Sequence, residues 1–241
     1  MKAAVHTRYG SPDVLRVEEV PPPSPADDEV LILVHASTVN RTDCGMRSAK
    51  PFITRFFSGW RRPKHQILGS EVAGVVEAVG ASVTEFTVGD RVFGVNMADY
   101  GTNAEHVCMK ERAPLATMPP TLTFDEAAAA TDGAILAMTY LRRVGLHAGQ
   151  RIVVYGASGA IGSAGVQLAK HYGAHVTAVC STPNVERVRS LGADVVIDYK
   201  KEAFEEHLSG YDVVLNSQDG KTLAKSLGVL KPGGSLISIS G

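Results

Sequence analysis

The residues best placed to do chemistry lie in "VVYGASGAIGSAGVQLAKHYGA", residues 153–174. An apolar run that reads as a buried strand leads straight into a glycine-rich turn and then into a helical stretch. Ala157, Gly159 and Gly162 take the three positions of a dinucleotide fingerprint, with alanine in place of the first glycine. Gly159 lets a pyrophosphate come close to the backbone, and Gly162 lets the helix pack tightly on its strand. The helix, with Ile161, Gly165, Leu168, Ala169 and Tyr172 on its expected apolar stripe, points its amide-rich, partly positive N-terminus at the phosphates. Ser158, Gly159, Ala160 and Ile161 are the expected amide donors.

The end of the next strand selects the dinucleotide. NAD-specific proteins place an acid there to hold the ribose hydroxyls. This chain reads "AVCSTPN", with Ser181 at that place and no acid in sequence before Glu186. Hydroxyls and amides donate to a 2′-phosphate that a carboxylate would repel, so NADPH is the expected cofactor. Ser181, Thr182 and Asn184 are candidate donors, Arg187 lies one turn further on, and Tyr199 follows the third strand.

These groups need a scaffold. "EVLILVHAS" (29–37), "SEVAGVVEAVG" (70–80) and "DRVFGV" (90–95) are rich in β-branched residues and separated by turn clusters such as "PPPSPADD". They predict an all-β unit over residues 1–118. From residue 119 the texture changes. Thr123 and Glu126 have the spacing of a reciprocal helix cap, and helical segments follow to Gly145. Then "RIVVYG" (151–156), "HVTAVC" (175–180), "DVVID" (194–198), "YDVVLNS" (211–217) and "GSLISIS" (234–240) alternate with amphipathic helices. Apolar strands separated by helices predict a doubly wound parallel sheet over 119–241.

Composition excludes several classes. The chain has 241 residues, 44% of them apolar, and 24 basic against 25 acidic side chains, so neither nucleic acid nor a membrane surface is an expected partner. No apolar run at the N-terminus or later is long and uncharged enough for a signal peptide or a span, which leads to a cytoplasmic expectation. Cys44, Cys108 and Cys180 fit no disulfide or zinc pattern and read as small buried or half-buried side chains. The eight histidines are scattered, and His106 reads as a capping or packing residue of the barrel.

Five stretches carry a resemblance: "ILGSEVAGVVEAVGASVTEFTVGDRVFG" (67–94), "AEHVCMKERAPLATMPPTLTFDEAAA" (104–129), "GASGAIGSAGVQLAKHYGAHVTAVCST" (156–182), "LGADVVIDY" (191–199) and "LKPGGSLISISG" (230–241). Through them the chain resembles the medium-chain dehydrogenase/reductase superfamily and its zinc-independent quinone oxidoreductase-like branch. The resemblance implies a GroES-like β-barrel followed by a Rossmann domain. Zinc-dependent relatives carry a cysteine and a histidine where this chain has Asn40, in "NRTD", and Ser70, in "GSE". Neither is a normal zinc ligand, so no metal is expected. Asp43 and Glu71, left beside them, are expected to fix local structure.

The chemistry so implied is hydride delivery to a small-molecule acceptor that is already electron-poor, a quinone or an α,β-unsaturated carbonyl, with Asn40 as amide donor to the substrate or the nicotinamide region. A turn-forming asparagine is the alternative reading of Asn40. Relatives often carry a tyrosine where this chain has Gly45, which removes one phenolic donor. "SAKPFITRFFSGWRRPKHQ" (48–66) reads as a substrate-side wall or lid, as a surface loop anchored by apolar side chains, or as a basic aromatic patch for single-stranded nucleic acid. The sequence stops at the fifth Rossmann strand, so the sheet is expected to lack its last strand, through which many relatives form homodimers. A non-catalytic NADPH-binding or partner-binding protein and a zinc-type alcohol dehydrogenase are the rival functions.

Overall fold

The computed structural model describes residues 1–218 and 220–239. The chain divides into two compact units, Met1–Thr131 and Asp132–Gly241.

In the first unit, β1 (Lys2–Val5) and β2 (Arg16–Glu19) form an antiparallel pair. β3 (Glu29–Ser37) leads to the helices α1 (Arg41–Ser48) and α2 (Arg55–Ser58), then to β4 (Glu71–Val79), β5 (Arg91–Val95), β6 (His106–Lys110), β7 (Leu115–Thr117) and α3 (Phe124–Ala129). Among the described residues the antiparallel sheet runs β6-β3-β4-β5-β7. Strand pleating sends alternate residues inward, so Val30 and Ile32 of β3, Val92 of β5, and Val107 and Met109 of β6 meet Val72, Val76 and Phe86 in one core. Each such side chain contributes roughly 1.5–3 kcal/mol by leaving water.

α1 was not anticipated. Its sequence, RTDCGMRS, contains Gly, Thr and Asp, which are weak helix formers, so the cap decides it. Asn40 and Asp43 form a reciprocal box, Asp43 N donating to Asn40 Oδ1 (3.1 Å) and Asn40 N to Asp43 Oδ2 (2.9 Å). The Thr123–Glu126 box at the start of α3 is present as expected. α3 packs Ala127 and Ala128 against Ala73 and Met118, which holds it to the first unit and puts the division at Thr131, beyond residue 118.

In the second unit, α4 (Asp132–Arg143) precedes β8 (Arg151–Tyr155), α5 (Ala160–His171), β9 (His175–Cys180), α6 (Val185–Ser190), β10 (Val195–Asp198), α7 (Phe204–His207), β11 (Tyr211–Asn216), α8 (Leu223–Gly228) and β12 (Leu230–Ser238). All strand pairs are parallel, in the order β10-β9-β8-β11-β12, which is a doubly wound, Rossmann-like sheet. β8 faces both ways: Ile152 and Val154 join the core under α5, and Val153 joins Phe204 and Val214 on the other side.

Two details depart from expectation. The buried face of α5 is Gly162, Gly165, Val166 and Ala169, one residue round from the stripe drawn through Ile161, with Leu168 and Tyr172 at its margin. β12 begins at Leu230, four residues before Gly234, because Leu230 already pairs with Tyr211 ahead of an irregularity in register; Ser240 lies outside the described residues.

Candidate functional site

Strand β8 sits between β9 and β11, so the connections leaving its carboxyl end diverge and open a crevice there. The turn that follows begins at Gly156, whose φ of +83° is a glycine conformation. The tight turn therefore falls on Gly156. Ala157 is fully buried beneath it, and the N–H groups of both residues donate to Val179 O at 3.1 Å.

Gly159 N donates to Gly156 O (3.0 Å), so that amide, an expected phosphate donor, is spent on the turn. The first bond of α5 runs from Ser163 N to Gly159 O (2.8 Å), which leaves the amides of Ala160, Ile161 and Gly162 ahead of the helical ladder. A Cβ at Gly162 would lie 2.1 Å from Gly156 O, so this glycine is demanded by packing. Gly159 is different. Its φ of −78° and ψ of 172° suit any residue, and a Cβ there would meet nothing nearer than Gly156 O at 3.5 Å. A glycine at 159 leaves room for close approach by a group from outside the chain, and the free leading amides of α5 suit an anion such as a diphosphate.

Beyond β9, Ser181 accepts from Asn184 twice, at its carbonyl from the backbone amide (2.9 Å) and at Oγ from Nδ2 (3.0 Å). Tyr199, 44% exposed, is brought alongside by Tyr199 N donating to Cys180 O (3.1 Å). The linear reading missed Asp198. It lies opposite Cys180 in the β10–β9 register, buried, so an acid does stand beside the Ser181 turn. Burial pushes its carboxyl up, but hydrogen bonding from Thr182 and from the Lys200 amide, with the charge of Lys201, holds it below the ordinary carboxylate value. Tyr199, Lys200, Lys201 and Lys225 line a cleft of about 300 Å³ on this side, Lys225 being tied to Glu205 at 2.5 Å.

In the first unit a second polar cluster gathers around buried Glu71. Its carboxylate accepts from Thr38 Oγ1, Thr131 Oγ1 (2.8 Å) and Asn40 Nδ2 (3.3 Å). Asn40 Nδ2 also donates to Ser70 Oγ (3.0 Å), so the two residues at the zinc-ligand positions of zinc-dependent relatives are bonded to each other. Asp43 accepts from Gly69 N (3.0 Å) as well as from Asn40 N; burial, with the nearby Glu71 charge, raises its pKa despite those bonds. Both amide hydrogens of Asn40 are thus directed at protein acceptors. Among the described residues no three His, Cys, Asp or Glu side chains are grouped to hold a metal ion.

The remaining candidates sort simply. His106 packs on β6 with Nε2 2.9 Å from Glu77. Cys180 is buried and Cys108 half-buried, but Cys44 is exposed, against expectation, because it lies on the outer face of α1. Burial, with Glu29 nearby, pushes the Cys108 thiol up to about 11. The aromatics of 48–66 point outward.

A two-unit fold of this kind, with a glycine turn at the switch point of the parallel sheet, defines a dinucleotide-binding protein class. Comparisons agree. Residues 26–130 match the alcohol dehydrogenase GroES-like domain family and residues 160–241 the zinc-binding dehydrogenase family. The whole chain is 38% identical to the 2-methylene-furan-3-one reductase of Solanum lycopersicum and 36% identical to the chloroplastic NADPH-dependent alkenal/one oxidoreductase of Arabidopsis thaliana. It spans 62% and 63% of those relatives' lengths. A solved structure of Escherichia coli quinone oxidoreductase complexed with NADPH superimposes with a TM-score of 0.87 at 26% identity, covering 99% of this chain and 72% of that one. The chain belongs to the medium-chain dehydrogenase/reductase superfamily, in its quinone oxidoreductase-like branch.

Proposed function

We propose that the protein is a zinc-independent, NADPH-dependent reductase of quinones or α,β-unsaturated carbonyls. The observation that carries this reading is Gly159, a glycine that neither backbone conformation nor packing requires, at the mouth of a helix whose leading amides have no intrahelical partner. In the proposed complex the amides of Ala160, Ile161 and Gly162 hold the diphosphate, with Ser158 flanking them and Ala157 as the buried floor. Ser181, Thr182, Asn184 and Tyr199 surround the 2′-phosphate, and Lys200 and Lys201 offset the charge of Asp198. Bound NADPH supplies a hydride to an electron-poor carbon of the acceptor.

Asn40 enters this proposal as a positioning residue: it caps α1 and ties Ser70 to Glu71. The Asn40–Ser70 bond supports the zinc-free reading, since two groups that are poor zinc ligands satisfy each other there. Relatives named as alkenal/one and quinone oxidoreductases support the acceptor class. Consumption of NADPH with a panel of quinones and enones, alongside metal analysis, tests the proposal: turnover without stoichiometric zinc is expected. Binding of NADPH with no turnover on any acceptor would favour the non-catalytic reading, which the commitment of both Asn40 amide hydrogens also favours.

Cytoplasmic location and a homodimer are carried as proposals, to be read by fractionation and by sedimentation; two relatives' names place them in chloroplasts or mitochondria.

A further inference from the structure

The segment between Asp43 and Glu71 contains no acidic residue and six basic ones, Arg47, Lys50, Arg55, Arg61, Arg62 and Lys64, in a chain of 24 basic and 25 acidic side chains. It also carries the most exposed aromatic cluster of the described residues. Phe52 (57% exposed), Ile53 (61%), Phe56 (66%), Phe57 (78%) and Trp60 (56%) all face water within nine residues. Phe52 and Phe56 set their ring edges against Trp60, with centroids 5.8 and 5.1 Å away, so the rings form one patch.

None of these rings anchors the segment. What pins it is polar: Tyr9 Oη donates to Gly59 O (2.7 Å) and lies 2.9 Å from the Oγ of buried Ser58, and Lys64 N donates to Ser58 O (2.7 Å). Arg55 is drawn inward, its guanidinium 5.0 Å from the Tyr9 ring centroid and 5.2 Å from that of Phe52, and Arg47 donates to Gly10 O. Lys50, Arg61, Arg62 and Lys64 are left exposed around the rings. The adjoining segment adds Arg8 and one acid, Asp13, which accepts from Ser11.

We propose that this patch docks on the surface of an anionic phospholipid bilayer. Charge complementarity selects that partner: exposed cations meet anionic headgroups while Phe52, Ile53, Phe56, Phe57 and Trp60 enter the acyl boundary, where a tryptophan is at home. A second copy of the chain would bring like charge against like charge. Single-stranded nucleic acid asks for open ring faces, and here Arg55 lies over the Phe52 ring while Phe52 and Phe56 crowd Trp60 in edge-to-face contact. The inference replaces the expectation, drawn from net charge, that membranes are not partners, and it is independent of the redox reading.

Trp60 is the chain's one tryptophan and reports directly on the patch. The test mixes the full chain with vesicles of phosphatidylcholine alone or with about 30 mol% phosphatidylglycerol, and reads Trp60 emission and co-sedimentation. The expected result is a blue shift and sedimentation with anionic vesicles, at least about tenfold weaker binding to the neutral ones, and weakening by salt. R61E/R62E should lower anionic-vesicle binding by about tenfold or more, and F56S/F57S should remove the blue shift, with circular dichroism unchanged in both. No shift and no sedimentation with anionic vesicles would overturn the proposal. So would binding unaffected by R61E/R62E, a Trp60 shift produced by self-association alone, or a single-stranded oligonucleotide that binds more tightly than the vesicles.

Discussion

The glycine turn of the second unit is built from consecutive residues, Gly156 to Gly162, and works through backbone amides. The polar cluster of the first unit draws Thr38, Asn40, Asp43, Ser70, Glu71 and Thr131 from three separate parts of the chain and works through side chains. In the turn, a residue's reason for being there is local conformation, so each position can be judged by asking what a Cβ would strike. In the cluster, the local Asn40–Asp43 cap aside, the side chains are tied together by partners distant in sequence, Thr38, Asn40 and Thr131 all meeting Glu71. The first kind of site fails by steric exclusion and the second by leaving buried donors unpaired.

That contrast predicts the largest effect at Gly162. Gly162→Leu drives its Cβ into the Gly156 carbonyl, which as backbone cannot yield, and urea unfolding should show a loss of about 3 kcal/mol or more. Glu71→Ala comes next: it strands the Thr38 hydroxyl and one bond of the Asn40 amide, Thr131 keeping the Ala128 carbonyl, at roughly 1–3 kcal/mol by the same assay, and Glu71→Gln, which keeps an acceptor, should lose less. If Glu71→Ala were neutral, the cluster would not be a cooperative unit. Asn40→Ala removes the cap of α1 and the bond to Ser70, for about 1–2 kcal/mol.

The smallest effect is expected away from both sites. Asp194 accepts from Lys170 Nζ (2.8 and 2.9 Å) and from Val176 N (2.7 Å). Burial works against its ionisation, but the Lys170 and Val176 bonds prevail and hold its carboxyl below the ordinary value of 3.8. A depressed carboxylate stabilises the fold above that ordinary value, and the contribution is lost as pH falls through the folded-state pKa. Asp194→Asn should therefore cost less than about 1 kcal/mol near neutral pH and nothing in strong acid, as seen by thermal unfolding across pH.

Legibility in the sequence followed the same division. The five strands of the second unit, β3, β4 and β5 of the first, the Thr123–Glu126 cap and the glycine turn were readable because each depends on periodicity or on neighbours a few residues away, whereas the short β1, β2, β6 and β7 were not. The N-x-x-D spacing of Asn40 and Asp43 carries the signal for α1, although the sequence offers Asn40 equally as a turn former or as a substrate-side donor. Asp198 was out of reach, since only parallel pairing sets it opposite Cys180 and beside Ser181. The shift of the α5 face to Gly162 and Val166 reflects packing of Gly162 on the Gly156–Ala157 turn and of Gly165 on Leu215 and Val154, with Val166 in the same core, which composition alone does not express. Cys44 shows the limit of residue-type expectation: its exposure is set by the side of α1 on which it falls.

Gly159→Ala provides the sharpest test of the turn's purpose, because it separates folding from binding. Its new methyl meets nothing tight inside the protein, so stability should change by no more than about 1 kcal/mol, the difference between glycine and alanine at a helix cap. Calorimetric titration of wild type and Gly159→Ala with NADPH and NADH should give tighter binding of NADPH to the wild type and a loss of about tenfold or more for both nucleotides in the variant. Undiminished NADPH affinity in Gly159→Ala, or NADH bound more tightly than NADPH by the wild type, would contradict the assignment of this turn and its Ser181 neighbourhood.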